Sequence, residues 1–208
     1  MRASSSAAAV CFGSLLGADV AHGAVDVTVE PPTVARVEFD PREPPDDLPS
    51  GGADGAGSCR SVFEIEAGIV SAIEMLTPTT VRAYPAEFDI ITRLKITIYT
   101  PKHASDELHA HEEGHRAIAE HYYGNADFAA REAAASVQSR SFDADGVDRA
   151  AAEQAVAESI RAALRDSFMQ RTQARSAAAN ARYDVITRHG LDAIAATDAV
   201  AAAIAQNP

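Results

Sequence analysis

Tryptophan is absent from this 208-residue chain, and cysteine, methionine and aromatic residues are scarce. Aromatic residues make up 6% of the chain and hydrophobic residues 47%, much of it alanine, so the core must come largely from small side chains packed between helices. The two cysteines are Cys11 and Cys59, and Cys11 lies in a segment predicted to be removed. No intramolecular disulfide is therefore expected in the mature chain.

Positive charge and long apolar runs are also lacking. Only 18 Lys and Arg residues stand against 30 Asp and Glu residues, which gives a formal net charge of −12. A phosphate backbone or an anionic membrane surface would be repelled, so no nucleic-acid partner is expected. No stretch approaches the roughly 20 apolar residues that cross a bilayer, so no integral membrane span is expected.

The first 24 residues have the composition of a signal peptide. They contain no acidic residue before Asp19 and run from Met-Arg through Ser and Ala to AAAVCFGSLLG. This pattern predicts a secreted or periplasmic protein with cleavage near Ala21 to Ala24. Asp19 and His22 depart from the small residues preferred at a cleavage point, and the alternative is a mildly apolar N-terminal tail.

The region before the helices alternates in the manner of β-strands. Residues 25–60 are rich in Pro, Gly and Asp, but VDVTV and VARVEF predict one or two short edge strands before a flexible loop. From Ser61 to Thr100, β-branched and aromatic residues recur at period two, interrupted by Pro78 and Pro85. A small, mostly antiparallel sheet is predicted here.

Helices are predicted over the rest of the chain. Ser105 is a suitable N-cap and Gly124 a suitable end for a helix over residues 106–123. The stretch ADFAAREAAASVQSR predicts a second helix before a turn at Asp143 to Gly146, and residues 148–181 predict a long third one. A further Ala-rich helix is predicted after Leu191. The fold class expected from this order is α+β, with a small sheet followed by packed helices.

The residues that carry chemistry lie in the first predicted helix. His111, Glu112 and His115 form the pattern H-E-x-x-H, and residues four apart project from one face of a helix. Two neutral imidazoles on one face can bind Zn²⁺, and the adjacent Glu112 can act as general base toward a water molecule. This chemistry predicts hydrolysis of an amide bond. The alternative is a solvated helix face, since Glu113 and Arg116 are also polar.

The residues leave the third zinc ligand open. His121 has the spacing of the third ligand in metzincins, but Ile118 stands where a glycine would let the chain turn. Glu153 and Glu158 are candidates of the gluzincin type on the long helix. His189 is the remaining candidate, within the polar cluster of ARYDVITRHG.

Three segments together resemble a known family. TRLKITIYTP, HEEGHRAIAEHYY and YDVITRHG are similar to a bacterial family of predicted secreted zinc-dependent proteases, catalogued as a domain of unknown function with H-E-x-x-H and a C-terminal Y-D-x-x-T-x-H-G signature. The likeness covers about Ser61 to Gly190. It implies a zincin-like domain over residues 61–208.

The resemblance also implies roles for individual residues. His111, His115 and His189 would be the zinc ligands, and Glu112 the base. Tyr183 would donate a hydrogen bond to the oxyanion, and Asp184 would orient an imidazole.

The sequence therefore predicts a zinc metallopeptidase that acts on a peptide or protein. The cleft is expected between the H-E-x-x-H helix and the sheet, and by analogy with zincins ITRLKITIYT would align the substrate. Two alternatives remain: a catalytically silent zinc-binding module, and an Ala-rich helical interaction protein of the cell envelope in which HEEGH has no function.

Overall fold

The computed structural model describes residues 23–49, 57–191 and 194–206. The predicted leader, residues 1–24, lies outside the described residues except for its last two. In the described part of the chain the strands are β1 (Val25–Val29), β2 (Thr33–Phe39), β3 (Ser58–Thr77), β4 (Thr80–Pro101) and β5 (Phe142–Asp145). The helices are α1 (Asp106–Tyr123), α2 (Ala126–Gln138), α3 (Arg149–Arg171), α4 (Gln173–Thr187) and α5 (Ala196–Ala205).

The long strand β4 is the centre of the sheet, and every other strand pairs with it. β3 forms an antiparallel hairpin with β4, and its pairing extends from Thr80 to Tyr99. Since β3 occupies one edge of β4 over this length, the other three strands lie end to end along the opposite edge. β5 pairs there antiparallel, while β1 and β2 pair parallel to β4.

The prediction of a mostly antiparallel sheet in an α+β fold is wrong, because β1 and β2 both run parallel to β4. The protein has a mixed, five-stranded sheet of α/β character. Side-chain alternation identifies a strand but not the direction of its partner. β2 ends beside Pro101 on one edge of β4, and β3 begins beside Tyr99 on the other edge.

Pro85 does not interrupt β4, although the sequence predicted a break at this residue. Pro85 pairs with Ser71 and Glu87 pairs with Val70, so Ala86 is an extra residue in a bulge. Buried residues are at odd positions before the bulge, as at Val81 and Ala83, and at even positions after it from Phe88 to Ile98. The bulge therefore keeps the same face of the strand turned toward the core.

The helices cover this apolar face of the sheet. The core joins sheet residues such as Ile90, Leu94 and Ile96 to alanine-rich helix surfaces. The predicted helix over residues 106–123 is confirmed at both ends, and the side chain of Ser105 caps it by accepting a hydrogen bond from the amide of Leu108. Among the described helices, none combines the length and the hydropathy needed to cross a bilayer.

Two other predictions require correction. Asp143 to Gly146 was predicted to be a turn, but Phe142–Asp145 form β5, held to β4 by a paired Arg82 and Asp143. The single helix predicted over residues 148–181 is divided at Thr172, whose hydroxyl donates to the carbonyl of Phe168. This hydrogen bond competes with the helical backbone and bends the chain. α4 begins after this residue and packs against α1.

Candidate metal centre

Helix α1 presents two imidazoles from adjacent turns. His111 and His115 lie four residues apart, and their Nε2 atoms are 3.2 Å from each other. His111 is 6% exposed and the side chain of His115 is 13% exposed. The sequence prediction that these two rings share one site is therefore supported by their geometry.

Helix α4 supplies a carboxylate to the same point. Asp184 Oδ1 lies 3.0 Å from His115 Nε2 and 3.4 Å from His111 Nε2. These three residues form the group of potential metal ligands whose donor atoms all lie within 4.8 Å of one another in the described part of the chain. They could hold a metal ion.

The other nitrogen of His115 has a partner that fixes its proton. His115 Nδ1 lies 2.8 Å from Asn180 Oδ1, and the Asn180 amide nitrogen donates to Ser176 Oγ. With the amide oxygen facing the ring, Asn180 accepts from His115 Nδ1, so the proton of the neutral ring lies on Nδ1. His115 Nε2 is left with a free lone pair directed at the shared point.

His111 is held in the same tautomer. Thr187 Oγ1 donates to the carbonyl of Tyr183 at 2.8 Å and lies 3.4 Å from His111 Nδ1, so it acts as acceptor toward the ring. In this tautomer two imidazole lone pairs and a carboxylate oxygen converge on one point. A metal ion, or a proton on one Nε2 atom, relieves the repulsion between these three electron-rich atoms.

The spacing of these donor atoms suits zinc. Ligands about 2.0–2.1 Å from a tetrahedral Zn²⁺ lie about 3.3 Å apart, by simple tetrahedral geometry. The three separations observed, 3.0, 3.2 and 3.4 Å, surround this value. Two imidazoles and one carboxylate also leave a fourth position free, as catalytic zinc sites do.

The charges of the metal-free group are strongly coupled. Burial alone would raise the pKa of Asp184, but hydrogen bonds and charge from the two histidines hold it well below its usual value. Burial alone would lower the pKa of His115, but the hydrogen bond and charge of Asp184 raise it above its usual value. A proton on His115 therefore takes the place of a metal when the pH is low.

Glu112 lies beside the cluster and faces the cleft. It is 2% exposed, and its Oε2 atom has no hydrogen-bond partner among the described residues. Burial, opposed by the charge of His115 and assisted by that of Asp184, raises the pKa of Glu112 to about 7. A carboxyl group that titrates near neutral pH can accept and release a proton under ordinary conditions.

Tyr183 packs behind the two histidines. Its ring stacks on His111 with centroids 5.0 Å apart, and it is 0% exposed. A side chain on Gly114 would overlap the Tyr183 hydroxyl, which has no hydrogen-bond partner among the described residues. Burial and the nearby charges of Glu112 and Asp184 raise its pKa to about 12. The structure does not bring this hydroxyl to the cleft, where an oxyanion donor would be needed.

His189 lies just beyond the end of α4 and outside the cluster. Its side chain is 80% exposed, and its Nδ1 atom is 3.8 Å from Asp184 Oδ1. Arg188, His189 and Gly190 all have positive φ angles, which turns the chain sharply at this point. Gly190 packs against the His111 ring instead, where an added Cβ would be 3.1 Å from Cγ.

The remaining sequence candidates lie elsewhere. His121 lines a separate cavity of about 330 Å³ at the far end of α1, together with Phe128. Glu153 pairs with Arg149 on the exposed side of α3, and Glu158 accepts from Gln154 on the same helix.

A cleft of about 660 Å³ opens in front of the cluster. It is lined by residues 57–61 at the start of β3, by α1 and by α4. The prediction that ITRLKITIYT aligns a substrate is wrong, because this part of β4 is paired with β3 on one edge and with β1 and β2 on the other. β3 is the strand that borders the cleft.

Asn180 belongs to the candidate site but was not predicted from the sequence. The sequence did contain a signal for it, since Ser176, Asn180 and Asp184 recur at four-residue steps on α4, the same step that separates His111 from His115.

Comparison with family models, characterised proteins and solved structures returns no match to this chain.

Proposed function

We propose that this protein is a zinc-dependent peptidase in which His111, His115 and Asp184 hold the metal. One observation carries the proposal: the Nε2 atoms of both imidazoles and a carboxylate oxygen of Asp184 lie within 3.4 Å of one another, while the Nδ1 atoms contact Asn180 and Thr187 of α4. Asp184 replaces His189 as the third ligand in this proposal. His189 remains at the rim of the cleft.

Zinc bound there would supply Lewis acidity, which lowers the pKa of a coordinated water molecule from 15.7 toward about 7. Glu112 accepts a proton from the attacking water and delivers it to the leaving amine. Because burial raises its pKa to about 7, Glu112 can both accept and release this proton near neutral pH. No side chain of the group is required to form a covalent bond with the substrate.

The start of β3 supports a peptide as the substrate. The edge of β3 that faces away from β4 pairs with no strand among the described residues, and residues 57–61 line the cleft beside Glu112. An extended segment can add to such an edge through main-chain hydrogen bonds. The substrate class is therefore a peptide or an unfolded segment of a protein. Export to the periplasm or medium is proposed from the leader composition.

Substitution of the base separates this function from a silent zinc-binding module. Glu112→Gln should lower the hydrolysis of fluorescein-labelled casein at least about 100-fold while near-stoichiometric zinc is retained. Glu113→Gln is the matched control, because Glu113 is turned to the surface, where it pairs with Arg36 and Arg116. Equal turnover by wild type and Glu112→Gln would refute the proposal, and so would zinc-loaded wild type without turnover.

A further inference from the structure

Gly57 packs directly on the carboxylate of Glu112. A Cβ atom built on Gly57 would lie 2.5 Å from Glu112 Oε1, 2.8 Å from Cγ and 2.9 Å from Cδ. Real Cβ atoms do not approach other heavy atoms this closely. The φ angle of Gly57 is not in the left-handed region. All three atoms belong to the side chain of Glu112, so a Cβ at position 57 is accommodated only if that carboxylate moves.

The carboxylate has little else to fix its position. Oε2 of Glu112 has no hydrogen-bond partner among the described residues, and the side chain is 2% exposed. The carboxylate lines the cleft in front of the cluster, so the cleft is the side toward which it can be displaced. A side chain at position 57 would therefore displace it relative to the cluster.

We propose that Gly57 is a positioning residue for Glu112. The backbone at the start of β3 serves as a wall that sets the distance between this carboxylate and the His111–His115–Asp184 cluster. This inference rests on the proposed function for its catalytic consequence, but the contact itself is testable without activity.

A double-mutant cycle on thermal unfolding tests the contact. Gly57→Ala should lower the Tm of the wild type by about 5 °C, since it inserts a methyl group into a filled space. The same substitution in Glu112→Ala should change the Tm by less than about 1 °C, because all three close atoms are gone. Gly68→Ala is the control on the same strand, where the nearest atom to an added Cβ is 3.8 Å away. Equal losses in the two backgrounds would overturn the inference.

Enzyme kinetics test the catalytic consequence of the contact between Gly57 and Glu112. Gly57→Ala, loaded with zinc to the wild-type level, should show kcat on fluorescein-labelled casein reduced about 100-fold with little change in KM, because misplacement of a reacting group by about 1 Å costs this much. Gly68→Ala should keep wild-type kcat. An active wild type with an equally active Gly57→Ala would refute the positioning role and leave the proposed function intact. A zinc-loaded but inactive wild type would refute the proposed function, and the thermal cycle would still decide whether Gly57 holds Glu112.

Discussion

Each imidazole of the metal centre has one nitrogen held by α4 and one turned to the shared point. Asn180 holds His115, Thr187 holds His111, and Asp184 lies between the two free nitrogens. In the proposed centre, α4 therefore has two roles: it orients the two histidines of α1 and supplies the third ligand.

Substitution of the third ligand should distinguish Asp184 from His189. Asp184→Asn is expected to weaken zinc binding at least about 100-fold, because it removes a charged ligand that the histidines keep ionised. His189→Ala should change the zinc affinity less than about 3-fold, since the ring is 80% exposed. Competition titration with a chromophoric chelator measures both constants. Loss of zinc in His189→Ala with retention in Asp184→Asn would reverse the assignment.

The burial of Glu112 should be visible in the stability of the metal-free protein. Its pKa is raised from 4.5 to about 7 in the folded state, so the folded state binds more protons between these values. The stability that this group contributes is present at low pH and is lost as the pH rises through about 7. Glu112→Gln should remove this pH-dependent loss of stability, because the amide does not titrate.

After chelation of the metal, Glu112→Gln should therefore exceed the wild type in stability by about 2 kcal/mol at pH 8 and by much less at pH 5. Urea unfolding at the two pH values provides the measurement. A difference that is the same at pH 5 and pH 8 would show that Glu112 does not titrate in this range.

The site residues that lie close together in the sequence could be predicted from it. His111, Glu112 and His115 lie within one helix, where a four-residue step fixes which side chains meet. The third ligand depends on where α4 ends, and three consecutive positive φ angles turn His189 outward while Asp184, one turn earlier, stays on the inner face. Side-chain chemistry alone does not encode that turn, because histidine and aspartate both bind zinc.

At the scale of elements, α1 and α4 are brought together by small residues. Gly114 faces Tyr183 on α4, and the ring of Tyr183 stacks on His111. The close approach of the two helices therefore also sets the orientation of one of the proposed metal ligands.

Gly114→Ala should destabilise the protein by about 1–3 kcal/mol, since the added methyl group overlaps the Tyr183 hydroxyl. Alanine is favoured over glycine inside a helix by about 1 kcal/mol, so a net loss would identify packing as the cause. Gly124→Ala at the end of the same helix is the control, with its nearest contact at 3.2 Å. Thermal unfolding of the metal-free variants measures both. Stabilisation by Gly114→Ala would contradict the packing described.

The elements themselves were predictable to different degrees. The N-cap at Ser105 and the stop at Gly124 defined α1, because these signals act within a few residues. The division at Thr172 was missed, since a threonine inside an alanine-rich helix bends the chain only when its hydroxyl bonds to the preceding turn. The parallel direction of β1 and β2 depends on contacts between residues about 60 apart in sequence.

For the whole molecule, the candidate metal centre joins the first and fourth helices, which lie far apart in the chain. His111 and His115 lie on α1, while Asp184 lies on α4, which packs against α1. A bound ion would link these two regions and stabilise the fold as a whole.

Removal of zinc should therefore lower the thermal stability of the whole chain. At zinc concentrations about 1,000-fold above Kd, the bound ion contributes about 4 kcal/mol, which corresponds to about 10 °C in Tm for a domain of this size. Calorimetry before and after treatment with a chelator checks this, with Mg²⁺ addition as the control. An unchanged Tm after complete removal of zinc would contradict this prediction, because it would show that the bound ion does not stabilise the fold.

The position of the metal is the most direct test of the proposed centre. Anomalous diffraction at the zinc edge, on crystals of the zinc-loaded protein, should show one strong peak about 2.0–2.2 Å from His111 Nε2, His115 Nε2 and a carboxylate oxygen of Asp184. A peak bonded to His189 in place of Asp184, or no peak between the two imidazoles, would contradict it.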